Sequence, residues 1–451
     1  MYLQRLQFCI SIILISSSSF CFSSHRNGLF HTDHPYHAYN PMARPSSFRT
    51  ASRGQTSYYD SDFWRQLMLK RSRAASSSTS LKMVNVNDYG AKGDGSDDTE
   101  AFMKAWDAAC SAQRAVLVVP QSKTYRLSPI TFSGPCKSDL TVKIYGTIEA
   151  PTDQSAYKKD PSEWLKFENL QNLRVEGGGY INGNGETWWK KSCKTDPSQP
   201  CKDAPTALTF QECNNLAVSA LTIKNAQQMH LVFKKCENVR AENLQITAPE
   251  DSPNTDGIHV SETQSITIDR CVIGTGDDCI SIVSGSRYVQ ATGITCGPGH
   301  GISIGSLGAD GSADYVSDVQ VNKAKISGTK NGVRIKTWQG GSGYAKNIKF
   351  QNIVMDNVDN PIIIDQNYCD QKKQCSQKAA AVQVTNVAYT NIRGTSASEE
   401  AITFDCSRSH PCQGISLQDV SLQSGSSVKS TEASCSNVKL TQIGSVSPAC
   451  D

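Results

Sequence analysis

The strongest constraint on the fold of this chain is a short pattern that recurs three times at one fixed interval. Each copy has a polar residue, a small residue and then alternating aliphatic residues, and the copies begin at Asp256, Asp278 and His300, each 22 positions after the last. A chain that winds into a solenoid places equal offsets at equal positions on successive coils. The pattern therefore predicts that the three residues form one column, with neighbours about 4.8 Å apart along the axis.

Similar short strands recur on both sides of this pattern. Leu216, Val239, Ile266 and Val289 follow polar residues and are separated by 23, 27 and 23 positions. Gly and Asn at the corners supply the positive φ angles that tight turns need. A β-sandwich would also contain many strands, but it would show turn signals about every 8–12 residues without one longer period. The repeat favours an all-β fold, a parallel β-helix.

One helix is predicted ahead of the strands. The folded domain is expected to span 83–451, opening with a short strand at 84–86. Asp97 with Glu100 three residues later is typical of a helix start, and the apolar positions that follow share one face. They are Phe102, Ala105, Trp106 and Ala109. We expect this short helix to cap the exposed end of the β-helix, where open strand edges invite aggregation.

The first 82 residues differ from the rest of the chain. Residues 1–24 combine Arg5, a short apolar run and small residues, which predicts a secretory signal peptide. Residues 25–82 are rich in Ser and contain nine Lys or Arg against three Asp or Glu, which indicates a pro-segment or linker. The apolar run is too short for the roughly 20 residues of a membrane span. The basic charge lies outside the predicted domain, so neither a nucleic-acid nor a membrane partner is expected.

Secretion makes the 17 cysteines interpretable, because disulfides form in oxidising compartments. Cysteines close in sequence predict six disulfide bonds: Cys110/Cys136, Cys193/Cys201, Cys279/Cys296, Cys369/Cys375, Cys406/Cys412 and Cys435/Cys450. Cys213, Cys236 and Cys271 are expected to be buried thiols. No Cys-x-x-Cys pair occurs, which leaves a structural zinc site without support.

Two further groups join the predicted column. Asp277 precedes Asp278 in a glycine-rich turn and can face the same cleft if the chain bends there. On the next coil Val333 and Ile335 are expected to point inward, so that Arg334 and Lys336 point outward. That coil is nine residues longer than the repeat, and we expect a loop at 307–317 to hold the excess.

The predicted cluster has a recognisable chemistry. Three neighbouring carboxylates repel, which raises at least one pKa and provides both a proton donor and a carboxylate able to hold water. Inverting glycoside hydrolysis requires one carboxyl group that donates a proton and one carboxylate that holds the attacking water. Arg334 and Lys336 are suited to binding an anionic sugar. His259 alternates with buried neighbours and is expected to face solvent without a catalytic role. A calcium site built from the Asp column is an alternative, because calcium prefers hard oxygen ligands.

The same residues stand in four motifs that resemble, in order, the signatures of polygalacturonases. They are Asn254-Thr255-Asp256-Gly257, Gly276-Asp277-Asp278, Gly299-His300-Gly301 and Arg334-Ile335-Lys336. The likeness is to plant, fruit-ripening-type enzymes and runs from about residue 83 to the C-terminus. It implies a right-handed parallel β-helix that hydrolyses α-1,4-galacturonan with inversion, without metal or cofactor.

The resemblance also implies roles for individual residues. Asp277 corresponds to the general acid, and Asp256 and Asp278 to the pair that positions the attacking water. His300 would support the protonation of the acid. Substrate binding falls to Arg334, Lys336, Asn254 and Tyr368.

The expected function is endo-acting hydrolysis of pectin by a monomer secreted to the plant cell wall. An exo-polygalacturonase, a calcium-dependent pectate lyase-like enzyme and a non-catalytic pectin-binding solenoid remain alternatives.

Overall fold

A computed structural model describes residues 80–451, apart from 138, 159–161, 202–203, 371–374, 376–377 and 427. The predicted signal peptide and nearly all of the predicted pro-segment lie outside the described residues. Those two assignments stay predictions. No helix in the described part of the chain is long and apolar enough to cross a membrane.

The described strands form three ladders of parallel strands, and each coil contributes about one strand to each ladder. The first ladder contains β1 (Lys82–Asn85), β3 (Ala115–Val119), β6 (Leu140–Ile144), β9 (Leu173–Glu176), β12 (Asn214–Ser219), β15 (Glu237–Glu242), β18 (Gln264–Asp269), β21 (Arg287–Thr292), β24 (Ala313–Asn322), β27 (Ser342–Val358), β29 (Gln383–Ser396), β31 (Cys412–Ser424) and β33 (Val438–Ser447).

The second ladder is shorter and merges into the long strand β27. It contains β2 (Asp94–Asp97), β4 (Thr124–Arg126), β7 (Thr147–Glu149), β10 (Tyr180–Asn182), β13 (Thr222–Lys224), β16 (Gln245–Thr247), β19 (Val272–Gly274), β22 (Thr295–Cys296) and β25 (Lys325–Ser327).

The third ladder is a separate sheet of 11 strands. It contains β5 (Ile130–Ser133), β8 (Glu163–Glu168), β11 (Thr206–Gln211), β14 (Leu231–Lys234), β17 (Ile258–Ser261), β20 (Ile280–Ile282), β23 (Ile302–Leu307), β26 (Asn331–Trp338), β28 (Asn360–Tyr368), β30 (Glu400–Asp405) and β32 (Glu432–Ser436). The fold is the predicted right-handed parallel β-helix, the hand that parallel crossover connections adopt.

The strand register follows the sequence repeat. Ile258 pairs with Ile280, and Ile280 pairs with Ile302, as the interval of 22 predicts. Val333 pairs with Ile302 although the coil between them is longer. Most of the excess lies at 307–317, as predicted, but only residues 308–312 of that segment are outside a strand, because β23 continues to Leu307 and β24 already begins at Ala313. Parallel pairing of β24 with β27 satisfies the backbone there, so the extra residues extend a strand.

The intervals outside the central pattern are also confirmed. Leu216 pairs with Val239, Val239 with Ile266, and Ile266 with Val289. All four side chains are buried. These residues therefore keep the same position on successive coils although the coils differ in length, because the turns contain the additional residues.

The interior of the solenoid contains columns of like side chains. Phe132, Phe167, Phe210 and Phe233 stack on successive coils with ring centroids 4.8, 5.1 and 5.7 Å apart. Beyond Phe233 the same column continues as aliphatic residues. Burial of each such side chain stabilises the fold by about 1.5–3 kcal/mol. This burial holds neighbouring coils together, although the stacked residues are far apart in the sequence.

Asparagine occupies corners at which the backbone turns through positive φ. Asn347 and Asn386 have φ of 57° and 55°, and the Asn386 side-chain amide donates to the Asn347 oxygen at 2.8 Å. Asparagine tolerates this conformation better than most residues and satisfies its own amide on the neighbouring coil. The predicted role of corner asparagines is confirmed.

The predicted capping helix is α1 (Thr99–Cys110), and its predicted apolar face is buried. The Trp106 indole donates to the Ser133 carbonyl at 3.0 Å, which joins the helix to the first strand of the third ladder. The predicted start was partly wrong. Asp97 accepts from the Thr99 amide at 2.8 Å, but Glu100 forms an ion pair with Lys104 instead of completing a capping box. A one-turn helix, α2 (Glu186–Trp189), was not predicted.

All six predicted disulfide bonds are present among the described residues. Cys213, Cys236 and Cys271 are buried free thiols, as predicted. The Cys236 and Cys271 thiols face the backbone carbonyls of Phe210 and Ala241 on the preceding coils. These cysteines therefore serve as small core residues.

Candidate active site

The third ladder forms the floor of a groove of about 530 Å³. The predicted polar residues reach it from the starts of β17, β20 and β23 and from within β26. All eight predicted site residues line this one groove: Asn254, Asp256, Asp277, Asp278, His300, Arg334, Lys336 and Tyr368. The sheet brings them together because parallel strands in register present their starting residues along one edge.

Asp278 lies at the centre of the charges. Its side chain is 2% exposed, and its two oxygens contact the Arg334 Nη2 at 2.8 Å and the Lys336 Nζ at 3.0 Å. The Ser303 hydroxyl also donates to Asp278 Oδ1, at 2.7 Å. Burial of a carboxylate is costly unless it is paired and hydrogen-bonded, and both conditions are met here. The Asp278 charge is therefore firmly held by the cations of β26.

Asp277 faces the groove beside its neighbour because the chain bends at Gly276. A Cβ on that glycine would lie 2.0 Å from the Ser252 carbonyl oxygen, so no other residue fits the bend. Asp277 Oδ1 lies 2.9 Å from the His300 Nδ1. Burial alone would raise the pKa of Asp277, but the hydrogen bond and charge of His300 outweigh it and lower that pKa.

Asp256 has the opposite electrostatic environment. It is buried, and its Oδ2 accepts from the Ser281 hydroxyl at 2.7 Å. Burial, followed by repulsion from Asp277 and Asp278, raises the pKa of Asp256 well above its ordinary value. Repulsion among the carboxylates was expected to raise at least one pKa. The carboxyl on which the rise falls is Asp256.

His259 does not face open solvent as predicted. Its side chain lines the groove and is 16% exposed, and its Nδ1 lies 2.7 Å from the Ser281 Oγ. The groove walls cover outward-facing positions of β17, and this cover is absent from the sequence pattern. Burial lowers the pKa of His259 to about 4.

The lowered pKa predicts a pH effect on stability. A neutral histidine with a folded pKa of about 4 stabilises the fold fully above its unfolded pKa near 6.5 and loses this contribution as pH falls through 4. His259→Asn should reduce the loss of unfolding free energy between about pH 7 and pH 5 by about 2 kcal/mol. Urea unfolding at both pH values measures this difference.

His230 provides the internal comparison for that experiment. Burial lowers the pKa of His230 to about 4 as well, and it stays in the variant. The acid-induced loss should therefore shrink without vanishing. An unchanged pH dependence in the variant would show that His259 does not remain neutral on folding.

Tyr368 and Asn254 flank the charged cluster. The Lys336 ammonium lies 5.4 Å from the centre of the Tyr368 ring, and that ring packs edge-on against Trp338. Asn254 lies at the start of the β17 coil with φ of 55°. Both residues line the groove, Asn254 on the side where the strands of the third ladder start and Tyr368 on the side where they end.

Several groove residues were not predicted. Ser281 and Ser303 occupy the repeat position of His259, since His259 pairs with Ser281 and Ser281 with Ser303 in the strand register. The repeat is sufficient to identify Ser281 and Ser303 as groove residues, because Arg334, a predicted groove residue, occupies the same position on the next coil. Lys194, Lys330 and Asp370 also line the groove and carry no repeat signal.

The calcium alternative fits this set of donors poorly. Among the described residues, Asp277, Asp278 and His300 offer ligand atoms that lie within 4.8 Å of one another. Calcium takes six to eight oxygen ligands, whereas here one donor is an imidazole and Asp278 already faces two cations. A cation bound at this position would be repelled by the two positive charges of Arg334 and Lys336.

The chain was compared with known proteins. A sequence profile described as Glycosyl hydrolases family 28 matches residues 109–450. A polygalacturonase of Malus domestica is 60% identical over 431 residues, which cover 93% of this chain and 91% of the relative. Polygalacturonase QRT2 of Arabidopsis thaliana is 54% identical over 447 residues, 98% of each chain.

Solved structures share the architecture. The crystal structure of endo-xylogalacturonan hydrolase from Aspergillus tubingensis has a TM-score of 0.69 and 24% identity, and covers 80% of this chain and 99% of that one. The likeness concerns the fold. With the profile match over most of the described β-helix and relatives at this level of identity, the chain belongs to glycosyl hydrolase family 28.

Proposed function

We propose that this protein hydrolyses the α-1,4-linked galacturonan of pectin. The observation that carries the proposal is the groove itself, which is lined by three carboxylates, an imidazole and two cations, with both cations in contact with Asp278 and the imidazole in contact with Asp277. Carboxylates cleave glycosidic bonds, and Arg334 with Lys336 can bind the carboxylate of a uronic acid. The names of the plant relatives point to the same activity.

Asp277 is proposed as the general acid. Its side chain is 18% exposed, more than those of Asp256 at 11% and Asp278 at 2%, so it can reach a glycosidic oxygen. A galacturonate carboxylate bound beside it adds negative charge and excludes water, and both effects raise the pKa of Asp277. His300 contacts Asp277 directly and can relay the proton.

Asp256 and Asp278 are proposed to position the attacking water. Asp278 contacts both Arg334 and Lys336, and the raised pKa of Asp256 makes the Asp256 carboxylate a stronger base than an ordinary aspartate. One turnover moves a proton from Asp277 to the leaving oxygen and a proton from water to Asp256. Transfer of a proton from Asp256 back to Asp277 then resets the site for the next turnover.

The reaction is tested with polygalacturonate as substrate. We expect reducing ends to be released at the same rate with and without a chelator, and no product that absorbs in the ultraviolet. Unsaturated product that disappears with chelator would indicate a calcium-dependent lyase instead. Binding without product over a long incubation would indicate a non-catalytic solenoid.

We further propose endo action with inversion by a secreted monomer of the plant cell wall. Six disulfide bonds in the described residues are typical of proteins from oxidising compartments. Mixed oligomers early in the reaction would support endo action, and monomer from the first minutes would support exo action. Proton NMR of the first product should show the β-anomer if the configuration inverts.

A further inference from the structure

One ion pair crosses the groove above the catalytic strands. The Lys194 Nζ contacts both oxygens of Asp370, at 2.8 and 2.9 Å, although the two residues are 176 positions apart in sequence. Both side chains line the same groove as Asp277. This contact therefore lies directly on the path of a bound polysaccharide.

The two partners belong to opposite walls of the groove. Lys194 lies in the segment that leads into β11, and Asp370 follows the end of β28. Since all strands of the third ladder are parallel, one wall lies at their starts and the other at their ends. An ion pair between these walls has to pass over the strands that carry the carboxylates.

Each partner is adjacent to a disulfide-bonded cysteine. Cys193, next to Lys194, is bonded to Cys201, and Cys369, next to Asp370, is bonded to Cys375. The two short covalent loops restrict where the charged side chains can go. The ionic contact is thus the reversible part of a connection whose two ends are held in place.

Lys194 can exchange Asp370 for another anionic partner. The side chains of Lys194 and Asp370 are 47% and 52% exposed, and a pair this exposed is held only weakly. Asp370 presents to Lys194 the same chemical group that a galacturonate residue carries. A polyanion entering the groove can therefore replace Asp370 without any loss of the charge that faces Lys194.

Resting on the proposed hydrolysis of galacturonan, we propose that Lys194 is a further substrate-binding residue. Asp370 contacts Lys194 in this structure, and in the complex with substrate a galacturonate carboxylate takes the place of Asp370. Entry of the substrate opens the connection between the two walls, and departure of the product closes it again. Asp370 then acts as an internal competitor that lowers the apparent affinity for substrate.

Two substitutions distinguish this exchange from a purely structural contact. Lys194→Gln removes the binding group and should raise the KM for polygalacturonate about threefold, whereas Asp370→Asn removes the competitor and should lower it about threefold. The kcat should change little in either variant. Both substitutions break the same ion pair, so a structural role would shift KM in the same direction in both.

Lys190→Gln is the matched control. Lys190 forms a still more exposed ion pair with Glu186, four residues earlier in the chain, but Lys190 does not line the groove. Its KM should equal that of the unaltered protein. Opposite shifts for Lys194→Gln and Asp370→Asn support the proposal, while parallel shifts or unchanged KM values overturn it. If the unaltered protein releases no reducing ends, the proposed function fails instead.

Discussion

Asp277→Asn is expected to lower the kcat on polygalacturonate by about a thousandfold, the size of effect that general acid catalysis provides. Asparagine keeps the shape of the side chain but cannot give a proton to the leaving oxygen. The fold should be unaffected, because among the described residues the Asp277 side chain is hydrogen-bonded only to His300 and to the Asp278 amide, and asparagine can keep both contacts. Reducing-end assays and thermal unfolding measure the two quantities.

A substrate with an acidic leaving group separates the proposed roles. An aryl oligogalacturonide that releases a stabilised phenolate does not need the general acid, so Asp277→Asn should regain most of its activity on it. Asp256→Asn should not, because water still needs its base. Asp251→Asn removes an exposed carboxylate from the segment before β17 and should leave both activities unchanged. Wild-type turnover by Asp277→Asn on the polymer would contradict the assignment.

Arg334→Gln is expected to lower the free energy of unfolding by about 3 kcal/mol and to impair substrate binding. The substitution removes one of two cations from Asp278, which is almost fully buried, and also breaks the bond from Arg334 Nε to the Ser303 hydroxyl. A buried carboxylate that loses a partner retains its desolvation cost. Urea unfolding at pH 7 measures the loss.

The double variant Arg334→Gln/Asp278→Asn tests the cause. Without the Asp278 charge, the missing guanidinium should cost little, so the double variant should be more stable than Arg334→Gln while remaining inactive. Lys349→Gln on the exposed face of β27 serves as the control for loss of one positive charge. Equal stability of Arg334→Gln and the control would show that Asp278 does not depend on this partner.

The repeat predicted much of the fold for a physical reason. Hydrogen bonds between parallel strands link residues at fixed offsets, so an interval of 22 in the sequence becomes contact between neighbouring coils, as for Ile258, Ile280 and Ile302. The prediction weakened where the interval changed. The long coil before Val333 was assigned a loop, because a sequence interval cannot tell whether added residues extend a strand or bulge outward.

The sequence predicted which residues belong to the site better than it predicted which of them contact each other. Offsets placed Asp256, Asp278 and His300 on one edge, and alternation placed Arg334 beside them. They did not indicate that His300 pairs with Asp277, since that contact depends on the bend at Gly276. His259 was assigned to solvent because strand alternation reports direction and carries no information on what covers a side chain.

The sequence by itself determined the coil architecture, the disulfide pairs close in sequence and the residues that share an edge, since each follows from spacing along the chain. The tertiary structure alone decided which carboxyl has the raised pKa, which cations contact Asp278 and how Lys194 meets Asp370 across the groove. These properties depend on distance and burial in three dimensions. Electrostatic energies vary with both, and neither can be computed from positions along a chain.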